Sequence, residues 1–96
     1  MKVVFKEPNF NAKVIEIENK LEILQDLVGG YIEVVYLTKD IVVILDEEGK
    51  LKDYKPNICY KNDTLVGNCI FVGIDNDDFT DLKEEQIEYL LKELNK

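Results

Sequence analysis

The densest group of residues that could carry chemistry is a run of carboxylates near the end of the chain: Asp75, Asp77, Asp78, Asp81, Glu84 and Glu85. Clustered carboxylates suggest a calcium loop, whose ligands recur at fixed positions. An EF-hand loop beginning at Asp75 requires Gly at position 80 and Glu at position 86, where this chain has Thr80 and Gln86. We therefore predict no metal site and expect these carboxylates to cap the final helix and complement its dipole. A weak Mg²⁺ or Ca²⁺ site is the alternative.

Nucleophilic catalysis lacks its usual residues in this chain. The sequence contains no Ser, His or Arg. Without His, neither Thr nor Cys has the usual base that would activate it, and without Arg there is no bidentate clamp for a phosphate. The chain has no glycine-rich phosphate loop, and its two cysteines, Cys59 and Cys69, are not spaced as zinc ligands. We therefore predict a protein that is not an enzyme and has no cofactor.

The charge balance limits the classes of partner. The formal net charge is −8, from 20 acidic residues against 12 lysines. Direct nucleic-acid binding and attachment to an anionic membrane both depend on basic residues, so we predict neither. An acidic surface could instead imitate nucleic acid, which is one alternative function. No apolar run is long enough to span a membrane and no apolar signal region is present at the start, so we expect a cytoplasmic protein with reduced cysteines.

Two short segments contain groups that could contact a ligand. Gly29 and Gly30 would let a ligand approach the backbone just before Tyr31, although helix termination is the simpler explanation. Asn57 follows Pro56 in a segment typical of a turn, and its amide could either stabilise that turn or bind a base or sugar. The chain also has five tyrosines that could stack on a planar ligand.

The hydrophobic pattern of the first half predicts a hairpin, a helix and two further strands. The predicted strands cover residues 2–6, 13–18, 31–37 and 41–45. The helix is expected to start at Asn19, with Glu22 completing a capping box, and to end at Gly29. Because residues 41–45 are wholly apolar, we expect their strand to lie in the interior of the sheet.

The second half is less regular. Residues 50–54 could form a short edge strand with Leu51 facing inward, after a turn at residues 47–49. Residues 69–74 are strongly apolar and predict a buried strand. Asp81, with Glu84, is expected to open a final helix. The apolar residues of that helix recur at helical spacing: Ile87, Leu90, Leu91 and Leu94.

These elements predict a single domain over residues 1–96 with the order β-β-α-β-β-(β)-β-α. This order is typical of the α+β class, here with a mixed or antiparallel sheet of four to six strands and two helices. A β-grasp-like arrangement fits the opening β-β-α-β order. A different sheet wrapped by two helices fits it equally well.

Four blocks of the sequence occur in an order that resembles the domain of unknown function family numbered 3846. They are LQDLVGGYIEVV at residues 24–35, EEGK at 47–50, PN at 56–57 and DTLVGN at 63–68. The resemblance implies a small stand-alone domain carried by a phage, plasmid or conjugative element. It implies no activity and no catalytic residues. Asp46 stands where the resemblance implies Asn, a small departure with no clear consequence.

The resemblance selects Gln25, Glu48 and Asn57 as the polar residues to test for contact with a ligand or partner, and Tyr31 is the aromatic candidate beside them. All of the polar candidates could instead be structural. The leading hypothesis is a non-enzymatic accessory protein that binds a host protein, such as a defence component, through an acidic surface or a free sheet edge. The alternative is a homo-oligomer that sequesters a nucleotide or another small molecule in a pocket lined by tyrosines and Asn57.

Overall fold

The structure, a computed structural model, describes residues 1–96. It contains eight strands and two helices, in the order β1 (Lys2–Lys6), β2 (Lys13–Glu16), α1 (Leu21–Val28), β3 (Ile32–Tyr36), β4 (Ile41–Asp46), β5 (Pro56–Tyr60), β6 (Asp63–Val66), β7 (Cys69–Asp75), β8 (Asp78–Thr80) and α2 (Glu84–Leu94). Six strands form one sheet, and β5 and β6 form a separate hairpin. The prediction of a small α+β domain with two helices is confirmed.

The main sheet has the strand order β2-β1-β7-β4-β3, with β8 paired to the far end of β7. Every neighbouring pair is antiparallel, so the structure has the antiparallel rather than the mixed sheet. β4 pairs with β3 on one side and β7 on the other, and all of its residues are buried. The prediction that residues 41–45 form an interior strand is therefore confirmed.

The sheet is covered on both faces, which explains why its inner strands are apolar throughout. On one face, α1 packs Leu24 and Val28 against the sheet residues Val3, Phe5, Val42, Ile44, Ile70 and Val72. On the other face, α2 and the β5–β6 hairpin cover Val4, Ile41, Val43, Leu45, Cys69 and Phe71. Of the two arrangements that the element order allowed, the structure thus has the sheet wrapped by two helices.

Residues 50–54 do not form the predicted edge strand. They belong to a compact loop in which Lys52 N–H donates to Glu48 O at 2.9 Å and Tyr54 N–H donates to Gly49 O at 3.0 Å. Leu51, expected to face inward, is 84% exposed. Backbone hydrogen bonds inside the loop replace a strand ladder, and this local closure leaves the Leu51 side chain on the surface.

The segment around Asn57 also differs from its prediction. Pro56 begins β5 instead of a turn, and the chain reverses at Lys61 and Asn62, which have φ angles of 49° and 64°. Two adjacent residues with positive φ form the tight turn that best matches strand twist. Proline is tolerated at the first residue of a strand because no ladder donor is lost there.

The predicted helix caps were wrong in detail. α1 begins at Leu21 without a side-chain cap, and the amide of Asn19 instead donates to Phe79 O at 3.2 Å. Asp81 accepts a hydrogen bond from Lys2 N–H at 3.0 Å and does not cap α2. Asn19 is thus bonded to β8, a strand that was not predicted, and Asp81 is bonded to β1, so tertiary contacts replaced the local caps.

Candidate binding site

The candidate site lies where α1 ends and β3 begins. Gly29 ends the helix with φ of 94°, and its N–H donates to Gln25 O at 2.8 Å. Tyr31 O then accepts a hydrogen bond from Glu47 N–H at 2.9 Å. This second bond continues the register of β3 and β4, and it fastens the end of the helix to the loop that follows β4.

Three of the four candidate residues meet in this corner. Gln25, Tyr31 and Glu48 line one shallow cleft of about 420 Å³, together with Asp26, Gly29, Gly30 and Lys52. The Tyr31 side chain is 67% exposed beside the cleft. The tertiary structure therefore joins a helix residue, a strand-entry residue and a loop residue that the sequence could only name separately.

Asp46 is the buried centre of the corner. It is only 3% exposed. Its Oδ1 accepts a hydrogen bond from Glu48 N–H at 2.9 Å, and its Oδ2 accepts from Lys52 Nζ at 2.8 Å and from Tyr54 OH at 3.0 Å. A buried carboxylate is tolerated only when it is paired and hydrogen-bonded, and these donors meet that requirement.

The same contacts set the ionisation of the pair. Burial raises the pKa of the Asp46 carboxyl, but the hydrogen bonds from Lys52, the Glu48 amide and Tyr54 together hold that pKa below its ordinary value. The pKa of Lys52 is raised, mainly by its hydrogen bond to Asp46. Asp46 and Lys52 therefore form an ion pair at neutral pH.

The close backbone approach expected at the paired glycines is made by the protein's own side chains. A Cβ at Gly30 would lie 2.6 Å from Lys52 Nζ and 2.8 Å from Asp46 Oδ2. Lys52 Nζ also donates to Gly29 O at 3.1 Å. The glycine pair thus makes room for the ion pair, which supports a structural role for it.

The charges left free at the cleft are acidic. The Lys52 ammonium is already bonded to Asp46 and to Gly29 O. Asp26 and Glu48 line the cleft and have no ion-pair partner among the salt bridges of the chain. Such a cleft suits a basic side chain better than a phosphate, because no free cation faces it.

Asn57, the fourth candidate, lies elsewhere. Its Nδ2 donates to Lys6 O and to Gly67 O, both at 2.8 Å, while its Oδ1 is buried without a hydrogen-bond partner. The amide therefore fastens β5 to the end of β1 and to the loop before β7. Asn57 also lines a second cavity of about 500 Å³, under the β5–β6 hairpin and beside α2.

The free edge of β3 adjoins the cleft. β3 pairs only with β4, and its register has no bulge. Leu37 N–H donates to Ile41 O, and Glu47 N–H donates to Tyr31 O. The backbone N–H and C=O groups of the odd-numbered residues of β3 are therefore directed toward β4. The residues whose N–H and C=O groups point away from the sheet are therefore Ile32, Val34 and Tyr36.

Two further features of the structure concern groups of metal ligands and helices that could span a membrane. No three His, Cys, Asp or Glu side chains converge where they could hold a metal ion. Neither helix is long and apolar enough to cross a membrane.

The comparison with known families identifies the chain. The family model for a domain of unknown function, DUF3846, matches residues 1–95. The chain belongs to this family. No curated protein and no solved structure matches this DUF3846 domain.

Three of the four blocks that carry the likeness to DUF3846 meet around Tyr54 and Asp46. The glycine pair comes from residues 24–35, and Glu48 comes from residues 47–50. Gly67, from residues 63–68, lies so close to Tyr54 that a Cβ would be 2.5 Å from the ring carbon Cδ2. Segments that are far apart in the chain thus meet at one structural centre.

Sequence reasoning missed Asp46, Lys52 and Tyr54. The available signal was a carboxylate placed directly after the apolar run at residues 41–45. This carboxylate forms an ion pair with Lys52, which a neutral amide at the same position cannot form.

Proposed function

We propose that this DUF3846 domain is a non-enzymatic accessory protein of a phage or mobile element, which binds a host protein in the cytoplasm by strand addition at β3. The observation that carries the proposal is the unprotected edge of this strand. Exposed edges normally carry lysine, proline or bulges that prevent pairing with another chain. β3 has none of these, and its one charged residue is Glu33.

Exposed apolar side chains along β3 support the same interpretation. Val34 is 38% exposed and Tyr36 is 50% exposed, and they share one face of the strand. Strand addition obtains its affinity from main-chain hydrogen bonds and its specificity from alternate side chains. The outward N–H and C=O groups supply the first, and Val34 and Tyr36 supply the second.

The acidic cleft extends this surface at the end where β3 begins. Tyr31 immediately precedes the strand and lines the cleft with Asp26 and Glu48. A partner strand that pairs with β3 and carries Lys or Arg at this end would place its cation against the two carboxylates. Retention of the partner should therefore weaken as salt is raised.

Affinity capture from a lysate of the host cell tests the proposal with two matched proline variants. Val34→Pro removes an outward N–H from β3 without removing a bond to β4. Val14→Pro is the control, because the bond from Ile17 N–H to Met1 O places the Val14 N–H outward on β2, where Val14 is 40% exposed.

We expect one host protein to be retained by the unmodified chain and by Val14→Pro, and to be lost with Val34→Pro. Glu48→Gln should reduce its retention without abolishing it, because the edge is intact. Equal retention by both proline variants would show that β3 is not the binding edge.

A second candidate function is small-molecule binding, and one observation favours it. The cavity of about 500 Å³ brings Asn57 together with Tyr60 and Tyr89, in a lining that is mostly apolar. Lys6 is the only basic residue that lines it, so an uncharged planar molecule suits the cavity better than a nucleotide. The acidic-mimic alternative has less support, since Lys2 and Lys96 pair with acidic residues of α2.

Native mass spectrometry of gently purified protein tests this second function. A retained small molecule that is lost in Tyr89→Ala and kept in Tyr36→Ala would establish the cavity as its site. Both tyrosines are exposed, but only Tyr89 lines the cavity. A mass retained equally by both variants would place the ligand elsewhere.

A further inference from the structure

The outward groups of β3 are arranged so that the strand can pair with itself. A two-fold axis opposite Val34 would place Val34 of one copy against Val34 of the other, as a hydrogen-bonded antiparallel pair. Ile32 would then lie opposite Tyr36 in both directions. All of the outward N–H and C=O groups of β3 are used in this register, and none is left over.

The neighbouring registers are poorer. Centring the pair on residue 33 opposes two Glu33 carboxylates and sets Tyr36 against Gly30, whose N–H is already bonded to Gln25 O. Centring it on residue 35 sets Ile32 against Thr38, whose N–H is already bonded to Ile41 O. The register centred on Val34 avoids both faults, because Glu33 then faces Val35.

Charge complementarity supports the same register. With Leu37 opposite Tyr31, the turn that carries Lys39 lies beside Gly30 of the second copy, at the cleft lined by Asp26 and Glu48. Asp40 lies farther from this edge, on the β7 side of the turn, where its C=O accepts a hydrogen bond from Ile74 N–H. Each copy thus brings a lysine to the acidic cleft of the other.

The opposite edge of the sheet lacks this self-complementarity. β2 has four residues, and both of its ends are charged, at Lys13 and Glu16. The backbone groups that point outward from β2 belong only to Val14 and Glu16. Two copies paired along this edge would therefore form few backbone hydrogen bonds and would place charged side chains next to one another. Charged, short edge strands resist pairing.

We propose that the occupant of the β3 edge in the free protein is a second copy of this chain, paired antiparallel about Val34. The dimer joins two sheets into one and covers Val34 and Tyr36 of both copies. A single pair of five-residue strands makes a smaller interface than the standard one, which buries about 1,600 Å². We therefore expect a weak dimer that dissociates on dilution. It occupies the edge proposed for the host partner, but the inference does not depend on that partner existing.

Disulfide trapping tests the register, in a Cys59→Ala background that leaves only the buried Cys69. Hydrogen-bonded residue pairs have Cα atoms about 5.5 Å apart, within the range of a disulfide. Val34→Cys should therefore form a covalent dimer on mild oxidation. Val14 on the other edge has a similar exposure to Val34, and Val14→Cys should remain monomeric. Val35→Cys would crosslink only if the two strands paired in the register centred on residue 35.

Sedimentation equilibrium on the unmodified chain tests the dimer itself. We expect dissociation that depends on concentration below about 1 mM, and an increase of about tenfold or more in the dissociation constant for Val34→Lys, which sets two lysines opposite each other. Val14→Lys should leave the constant unchanged. Circular dichroism of each variant checks that it folds.

A chain that stays monomeric up to that concentration, or a Val14→Cys variant that crosslinks as fast as Val34→Cys, would overturn the dimer. Neither result bears on the host partner, whose capture is measured with the proline variants. If the dimer is confirmed and capture fails, the self-pairing stands and the proposed function does not.

Discussion

Asp46 follows the apolar strand β4, and its side chain turns back into the protein instead of into solvent. Its carboxylate oxygens accept hydrogen bonds from Glu48 N–H, Lys52 Nζ and Tyr54 OH. Removing a buried carboxylate from water costs free energy, which these donors offset. At the residue scale, the corner that carries the candidate cleft therefore depends on one side chain that lies between the predicted strand at 41–45 and the predicted turn at 47–49.

Asp46→Asn should lower the free energy of unfolding at pH 7 by about 1–3 kcal/mol, because the amide loses the ion pair while keeping an acceptor for Glu48 N–H. The pKa of Asp46 is lower in the folded protein than in the unfolded chain. Its contribution to stability is therefore present above about pH 4 and is lost as the pH falls through the folded pKa.

Urea unfolding at pH 7 and at pH 3 measures this contribution. The difference between the unmodified chain and Asp46→Asn should shrink at the lower pH. Asp63→Asn is a control from the exposed pair with Lys50, and we expect it to have a smaller effect because solvent screens that pair. A gap for Asp46→Asn that is the same at both pH values would refute the ion-pair account.

At the element scale, β3 combines two different backbone environments on one strand. Its odd-numbered residues bond to β4, and its even-numbered residues direct their backbone groups outward. The periodicity of residues 31–37 predicted the strand itself. It did not show that the strand lies at an edge, because strand order is set by pairing between distant segments.

Proline substitution separates these environments. Val34→Pro should leave the melting temperature near that of the unmodified chain, since no bond to β4 is lost. Val35→Pro should lower it strongly or prevent folding, because the Val35 N–H lies in the ladder opposite Val43. Thermal unfolding followed by circular dichroism measures both, and equal effects of the two prolines would contradict the alternation derived for β3.

At the scale of the whole molecule, a sheet covered on both faces encloses its central strands. Cys69 begins β7 and is fully buried, while Cys59 lies exposed on β5. Burial raises the pKa of the Cys69 thiol to about 12, although Lys6 and the Asn57 amide oppose this shift. The reactivity of the Cys59 thiol therefore measures access to the surface, and that of the Cys69 thiol measures opening of the core.

A thiol reagent at pH 8 should label one cysteine in the native protein and both in denaturant. With a pKa of about 12, only about 10⁻⁴ of the Cys69 thiol is ionised at that pH, and the core also excludes the reagent. In Cys59→Ala, the residual slow labelling should follow opening of the whole domain. Fast labelling of Cys69 in that variant would show that the β5–β6 side of the core opens by itself.

The amino-acid sequence by itself determined the elements that depend on local chemistry and periodicity. The wholly apolar run at 41–45, the glycine stop at Gly29 and the leucine spacing of α2 each specify their element without distant contacts. The order of the four sequence blocks likewise indicated the family, and the chain contains none of the His, Ser and Arg side chains that nucleophilic catalysis usually employs. The α+β class followed from these alone.

Only the tertiary structure decided where the candidate residues lie. Gln25, Tyr31 and Glu48 meet because β3 and β4 pair antiparallel, whereas Asn57 is held away by bonds to Lys6 and Gly67. Residues 50–54 formed a loop, not a strand, because Lys52 and Tyr54 reach the buried Asp46. These outcomes depend on contacts between segments that are far apart in the chain. The free energies of such contacts cannot be predicted from a local pattern of residues.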